Sequence, residues 1–232
     1  MQLYSKLFGL IKNFLVLLKR RWLKIKINRM KDVKIIAGAG NVKIPSWIST
    51  NKEEFDITNE SDFLYYFSNK KVSNILLEHV IEHILYEEFL KFLKIAKKYL
   101  KKGGVIRIAV PDKYHPSEYV RQLTGVNGLE PGAEDHKYFY SIDDLEEIAA
   151  KTGYRLVKLE YFDADGYFHT TDFDFSNGYV FRCSKNYKGR FTNSVDEYIK
   201  MLASTPEHLR SQFLIYKISY TSLLVDLINE NE

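Results

Sequence analysis

The chain has 232 residues, 45% apolar and 28% charged, a balance that excludes wholesale disorder and is large enough for a hydrophobic core without staples. Its single cysteine, Cys183, excludes an internal disulfide and a cysteine-rich zinc knuckle, and fits a reducing, cytoplasmic setting. The net charge of +4 is uneven: residues 1–34 hold ten Lys and Arg against Asp32 alone, leaving a mildly acidic body that argues against nucleic acid as a partner.

Residues 1–31 read as a basic amphipathic helix ahead of a body spanning 32–232. Leu3, Leu7, Ile11, Phe14, Leu18 and Trp22 recur at steps of three and four, the spacing of one helix face. Only six residues separate Lys12 from Lys19, far short of the ~20 apolar residues that span a bilayer. A cleaved signal peptide fits poorly, because the basic cluster follows the apolar stretch and no small-residue cleavage site comes after it. Two readings stay open. In one, the helix lies in the anionic interface at the inner face of the membrane; in the other, it packs on its own domain or on a sister subunit of a homodimer.

The body alternates short apolar runs with helical stretches. Val33–Ala37 is a strand running into Gly38-Ala39-Gly40, and residues 44–50 form a loop leading into a short strand. A short helix covers 61–68, a buried strand covers 72–77, and a helix is expected from about Val80 to Leu100, closed by Lys97, Lys98, Lys101 and Lys102 and by Gly103-Gly104. Strand 105–110 stops at Pro111. Ser141, with an acid three residues on and Gly153 at the far end, brackets a helix over 141–151. Residues 155–162 and 178–183 read as two more strands. Residues 194–217 read as a helical insertion, with a fresh cap at Ser204-Thr205-Pro206-Glu207, before a closing segment over 220–226. Helices between strands mean crossovers, hence an α/β doubly wound, mostly parallel sheet.

Ligands of such sheets sit beyond the strand carboxyl ends. Those ends are Gly38-Ala39-Gly40, Glu78-His79, Pro111-Asp112 and Asp163. Lys43 stands where a dinucleotide fingerprint needs its third glycine, and no phosphate loop is present, which disfavours nicotinamide and nucleoside-triphosphate chemistry.

The segments IIAGAGNVKIPSWISTN, VSNILLEHVIEHI and LKKGGVIRIAVPD, in this order, resemble class I S-adenosylmethionine-dependent methyltransferases. More narrowly, they are similar to the predicted methyltransferases associated with surface-glycan (lipopolysaccharide or capsule) biosynthesis. The similarity runs from about residue 33 to the end of the chain. It implies a Rossmann-like seven-stranded sheet, S-adenosylmethionine as cofactor, and methyl transfer to an oxygen of a small-molecule or glycan acceptor. It also implies that Ala37, Gly38, Ala39 and Gly40 pass beneath the methionine part. Asn51 falls where the family has an acidic ribose ligand, a departure that weakens ribose binding by about 1–3 kcal/mol, with Glu53 or Glu54 as substitutes. Asp56 and Ile57 fall beside the adenine, and Glu78 and His79 near the sulfonium.

Candidate bases are histidines, with His136 first, because acids precede it and a capped helix follows it, and His79 also at a strand end. Asp112, Tyr114 and His115 form a polar lip suited to a hydroxyl-rich acceptor, and His169 lies in an aromatic-acidic loop able to stack on a sugar. No metal is expected for methyl transfer. The rival pattern, His79-x-x-Glu82-His83, matches the zinc motif of inverted metalloproteases, but the strand ending at 77–78 puts His79 on a turn. A catalytically inactive cofactor-fold binding protein is the remaining alternative.

Overall fold

A computed structural model describes residues 2–186, 194–219 and 221–231, with side chains from Phe8 onward. The first of the seven strands is β1 (Val33–Ala37), followed by β2 (Ile48–Thr50), β3 (Val72–Glu78), β4 (Leu100–Val110), β5 (Arg155–Phe162), β6 (Phe168–Thr170) and β7 (Leu223–Ile228). They lie in the order β2-β1-β3-β4-β7-β5-β6. The β2-β1-β3-β4 half is parallel, and β7 inserts antiparallel between β4 and β5.

Strand side chains alternate between two cores, as a pleat requires. Val33, Ile35, Ile75, Leu77, Ile106, Ile108, Val225 and Leu227 face one core, formed with α2 (Glu60–Phe67), α3 (Tyr86–Tyr99) and α5 (Ile142–Thr152). Ile36, Leu76, Ala109 and Leu224 face the other, which is covered by residues 173–183 rather than by a helix. A third cluster joins α4 (Glu118–Thr124), α6 (Val195–Ala203) and α7 (Arg210–Ile215) to Phe162 and Phe168 at the sheet edge.

The leader is a 28-residue helix, α1 (Gln2–Arg29). Its docked stripe is not the apolar one read from the sequence. Leu23 and Ile27 enter the core, Arg20 forms a two-pronged bond to Asp62 (2.6 and 3.2 Å), and Lys19 meets Glu54 at 2.5 Å. Ile11, Phe14, Leu18 and Trp22 stay exposed, with Phe8, Leu10, Leu15 and Leu17 beside them.

Three expected elements differ. The helix expected from Val80 begins at Tyr86, after a 3-10 turn over Ile81–His83, because Ile81 and Glu82 turn inward to full burial before the chain recovers at Leu85. That helix ends at Tyr99, and β4 starts at once. Residues 178–183 form no strand, because side chains take up their backbone donors: Glu78 accepts from the N–H of Phe181 and Arg182, and Glu160 from that of Ser184. The closing segment is β7 from Leu223; Tyr220, the first residue expected in it, lies outside the described residues.

Candidate functional site

The parallel half of the sheet delivers β1, β3 and β4 side by side, so residues 38–40, 78–79 and 111–112 meet at one edge. Gly38 takes φ +70°, and a Cβ built there would lie 2.6 Å from Val80 Cγ2, so only glycine fits this turn. On one side of it opens a cavity of about 420 Å³ lined by Gly38, Ala39, Glu78, His79, Pro111 and His136 among others. On the other side is a smaller hollow of about 70 Å³ between Ala37, Phe55, Asp56, Ile57, Val80 and Ile84. Gly38 borders both. Gly40 borders neither; its N–H donates to Asn51 Oδ1 at 2.8 Å, and Asn51 Nδ2 donates back to its carbonyl at 3.4 Å.

Asn51 therefore clasps the glycine turn. Glu54 is engaged at both oxygens, one with Lys19 and the other accepting from Asn51 N at 2.8 Å; Glu53 is exposed, 4.0 Å from Lys12. Asp56 accepts from the N–H and hydroxyl of Thr58, which fixes its carboxylate at the rim of the small hollow.

Glu78 stands at the end of β3 with its carboxyl pushed above the usual range by burial, offset in part by His79 and by the donors from Arg182 and Phe181. His79 has φ +53°, a left-handed conformation that is costly for a residue carrying a side chain. It is held there by three bonds: its N–H to Ala109 O at 2.8 Å, Nδ1 to Glu82 Oε1 at 3.1 Å, and Nε2 to Ser222 Oγ at 3.3 Å. With residues 79–83 in a turn, the inverted-protease helix is not formed.

His136 reaches the cavity from the far wall. It is buried, its Nδ1 lies 2.8 Å from Thr124 O, and its ring meets that of His83 edge-on at 4.6 Å between centroids. His83 in turn bonds Asp135 at 2.7 Å.

The residues expected to form the acceptor lip are placed elsewhere. Asp112 is buried and structural, accepting from Tyr114 N at 2.9 Å and Phe162 N at 2.8 Å, and burial pushes its carboxyl up to about 7. His115 packs between Phe162 and Phe213, where burial lowers it to about 3. Tyr114 leans away to donate to Asp143 Oδ2 at 2.8 Å. His169 sits on the edge strand β6, stacked on Tyr161 and bonded to Asp163, and does not line the cavity.

The other walls escaped the sequence reading: Glu130, Pro131, Gly132 and Ala133 from the loop after α4, and Phe181 and Arg182 from the covering segment, with Arg182 and Glu130 bonded at 3.0 Å. Pro131-Gly132 marks a turn in the sequence, but nothing local says that it faces β1.

A mixed seven-stranded sheet with its cavity at the ends of β1, β3 and β4 is the architecture of an α/β cofactor-binding protein. The chain belongs to the methyltransferase-domain family, which matches residues 18–159, more than half its length. No curated protein matches it in sequence. Among solved structures it is similar to a SAM-dependent methyltransferase from Archaeoglobus fulgidus, with 14% identity, 90% of this chain and 93% of that one covered, and a TM-score of 0.42. It is also similar to a complex of the Haloferax volcanii Trm112 methyltransferase activator with a putative methyltransferase (12% identity, 92% of each chain, TM-score 0.45). A longer structure, LepI in complex with SAM, matches 62% of this chain, which spans 36% of that one (15% identity, TM-score 0.38).

Proposed function

We propose that the protein binds S-adenosylmethionine across Gly38 and transfers its methyl group to an oxygen of a small-molecule or glycan acceptor. The observation that carries this reading is the bare, left-handed Gly38 backbone between two hollows of unequal size. The adenosyl end suits the small apolar hollow, with Ile57 against the ring and Asp56 at its rim. The methionine end and the acceptor suit the larger cavity, where the Glu78 carboxyl and the carbonyls around it favour a sulfonium cation.

In the reaction the acceptor O–H loses its proton, an O–CH3 bond forms as the S–CH3 bond breaks, and the sulfonium becomes a neutral thioether. Positioning and proton removal are what a protein adds to an already activated methyl group. We assign that proton to His79, whose Nδ1 is backed by the Glu82 carboxylate and whose Nε2 would exchange Ser222 Oγ for the acceptor hydroxyl; His136 lines the same cavity. Calorimetric titration with S-adenosylhomocysteine tests the reading: a saturable one-to-one isotherm is expected, and absence of heat at millimolar ligand sinks it. His79→Asn, chosen because asparagine tolerates the left-handed backbone, should keep that affinity and lower turnover by about 10²–10⁴-fold.

We infer also that the exposed face of α1 meets an anionic membrane surface. Ile11, Phe14, Leu18 and Trp22 point outward beside Lys12 and Arg21, the pairing that interfacial helices use. No helix among the described residues is long and apolar enough to cross a membrane. Co-sedimentation with anionic vesicles, lost in a Phe14→Glu/Trp22→Glu variant, is the expected result; a concentration-dependent dimer abolished by the same variant would assign the face to a second copy instead.

A further inference from the structure

We propose that Glu82, His83 and His136 form a binding site for one divalent first-row transition-metal ion, with an open coordination position on the main cavity. Each of the three offers a ligand atom, and these atoms lie within 4.8 Å of one another. Two ligands each about 2.1 Å from one ion lie at most about 4.2 Å apart, so small side-chain rotations close the set.

The hydrogen bonding around the three has one direction. Thr124 O can only accept, so the proton of His136 is on Nδ1. The Asp135 carboxylate likewise holds the Nδ1 proton of His83. Both imidazoles therefore keep the lone pair on Nε2 for a ligand, in the arrangement by which a carboxylate or carbonyl orients metal-binding histidines. Glu82 completes the case. Its Oε1 bonds His79, whereas its Oε2 is buried with no hydrogen-bond partner among the described residues, in a side chain only 1% exposed. A buried carboxylate oxygen without a donor is costly. One cation bound by that oxygen and both imidazoles satisfies all three at once.

The frame is also tied in advance. Glu82 O accepts from the N–H of Lys137 at 2.7 Å, and Lys137 Nζ donates to His83 O at 2.8 Å, so the turn after β3 and the loop carrying His136 are fastened together. Two imidazoles and one carboxylate, without a thiolate, suit Mn2+, Fe2+, Co2+, Ni2+ or Zn2+ rather than Cu+ or Ca2+. His83 and His136 line the cavity while Glu82 lies behind them, so the remaining coordination positions face the ligand space. Resting on the methyl-transfer reading, the acceptor class is one that presents an oxygen to the ion, which lowers the pKa of its hydroxyl and fixes its distance from the methyl group.

The test uses chelator-stripped full-length protein titrated with Co2+, followed by its visible absorption bands and by metal analysis after dialysis. One Co2+ per chain is expected. His83→Ala and Glu82→Gln should each weaken binding by about tenfold or more, while His208→Ala, at an exposed histidine, should leave it unchanged. Because His83 is itself part-exposed, His83→Ala reports even where Glu82→Gln fails to fold, as thermal melts would show. Absence of stoichiometric uptake, or uptake unaltered in a folded His83→Ala, overturns the site. Titration of the same stripped sample with S-adenosylhomocysteine separates the two ideas: cofactor binding without cobalt uptake removes the metal site alone, and cobalt uptake without cofactor binding removes the methyl-transfer reading alone.

Discussion

At the scale of single residues, Gly38 and Gly40 look equivalent in the sequence and are not. Gly38 combines φ +70° with Val80 Cγ2 at 2.6 Å from any added Cβ, while Gly40 has φ +54° and open space around it. Gly38→Ala is expected to cost about 1–3 kcal/mol of stability and at least a tenfold loss of S-adenosylhomocysteine affinity by calorimetry, whereas Gly40→Ala should cost about 1–2 kcal/mol of backbone strain with affinity nearly kept. Equal losses of affinity in the two variants would show that the ligand does not run past Gly38. Asp112 and His115 make a second pair. Folding raises Asp112 from 3.8 to about 7, so between those values the folded chain holds a proton that the unfolded chain has released, and its contribution to stability falls as pH rises. Folding lowers His115 from 6.5 to about 3, so its contribution falls as pH drops through that window. The two slopes oppose each other, each up to about 1.4 kcal/mol per pH unit. Urea melts between pH 4.5 and 6.5 should show His115→Gln losing stability with rising pH relative to the parent, and Asp112→Asn gaining it. Both residues read as surface lip groups in the sequence because a strand end followed by Pro looks exposed. Their burial depends on Phe162 and Phe213, which arrive from far along the chain.

At the scale of elements, capping chemistry was readable and packing direction was not. Ser141 accepts from Asp144 N, the Asp144 carboxylate accepts from Ser141 N, and Gly153 ends α5 in a left-handed turn, all within a dozen residues of local sequence. The leader shows the opposite case. Its helical period is plain, but its most regular apolar stripe faces outward, and the docked one mixes Arg20, Leu23, Ile27 and Met30. An arginine in a buried stripe is recognisable only once Asp62 is seen opposite it. Leu23→Ala should therefore cost about 2–4 kcal/mol, measured by denaturant unfolding. Trp22→Ala, one residue earlier and more than half exposed, should cost under ~1 kcal/mol. Comparable losses at the two positions would mean that the outward stripe is itself covered.

At the scale of the whole molecule, strand order follows from the crossovers, but the cavity's far wall follows from ties that no local pattern reveals. Arg107, fully buried on β4, bonds Asp226 of β7 through two nitrogens at 2.8 and 2.9 Å and holds the carbonyls of Asp174 and Gly178 at 2.7 and 2.8 Å. Asn177 adds a bond to Asp226 at 3.1 Å. This cluster pins the segment that brings Phe181 and Arg182 to the cavity, with Glu78 and Glu160 gripping it further along. In the sequence, Arg107 is a lone basic residue in VIRIAV and Asp226 a lone acid in LLVDLI, 119 positions apart. Removing one partner strands a buried charge, so Asp226→Leu should cost about 3–5 kcal/mol. The double variant Arg107→Met/Asp226→Leu restores an apolar pair and should recover most of that loss. It also deletes the two carbonyl bonds from Arg107, loosening the covering segment at Asp174 and Gly178 while its ties to Asn74, Ser222, Glu130, Glu78 and Glu160 remain. The double variant is therefore expected to melt near the parent yet bind S-adenosylhomocysteine about tenfold more weakly, a difference of about 1.4 kcal/mol. Parental affinity in that variant would show that the remaining ties, those to Glu78, Glu160, Ser222 and Glu130, place Phe181 and Arg182 without Arg107.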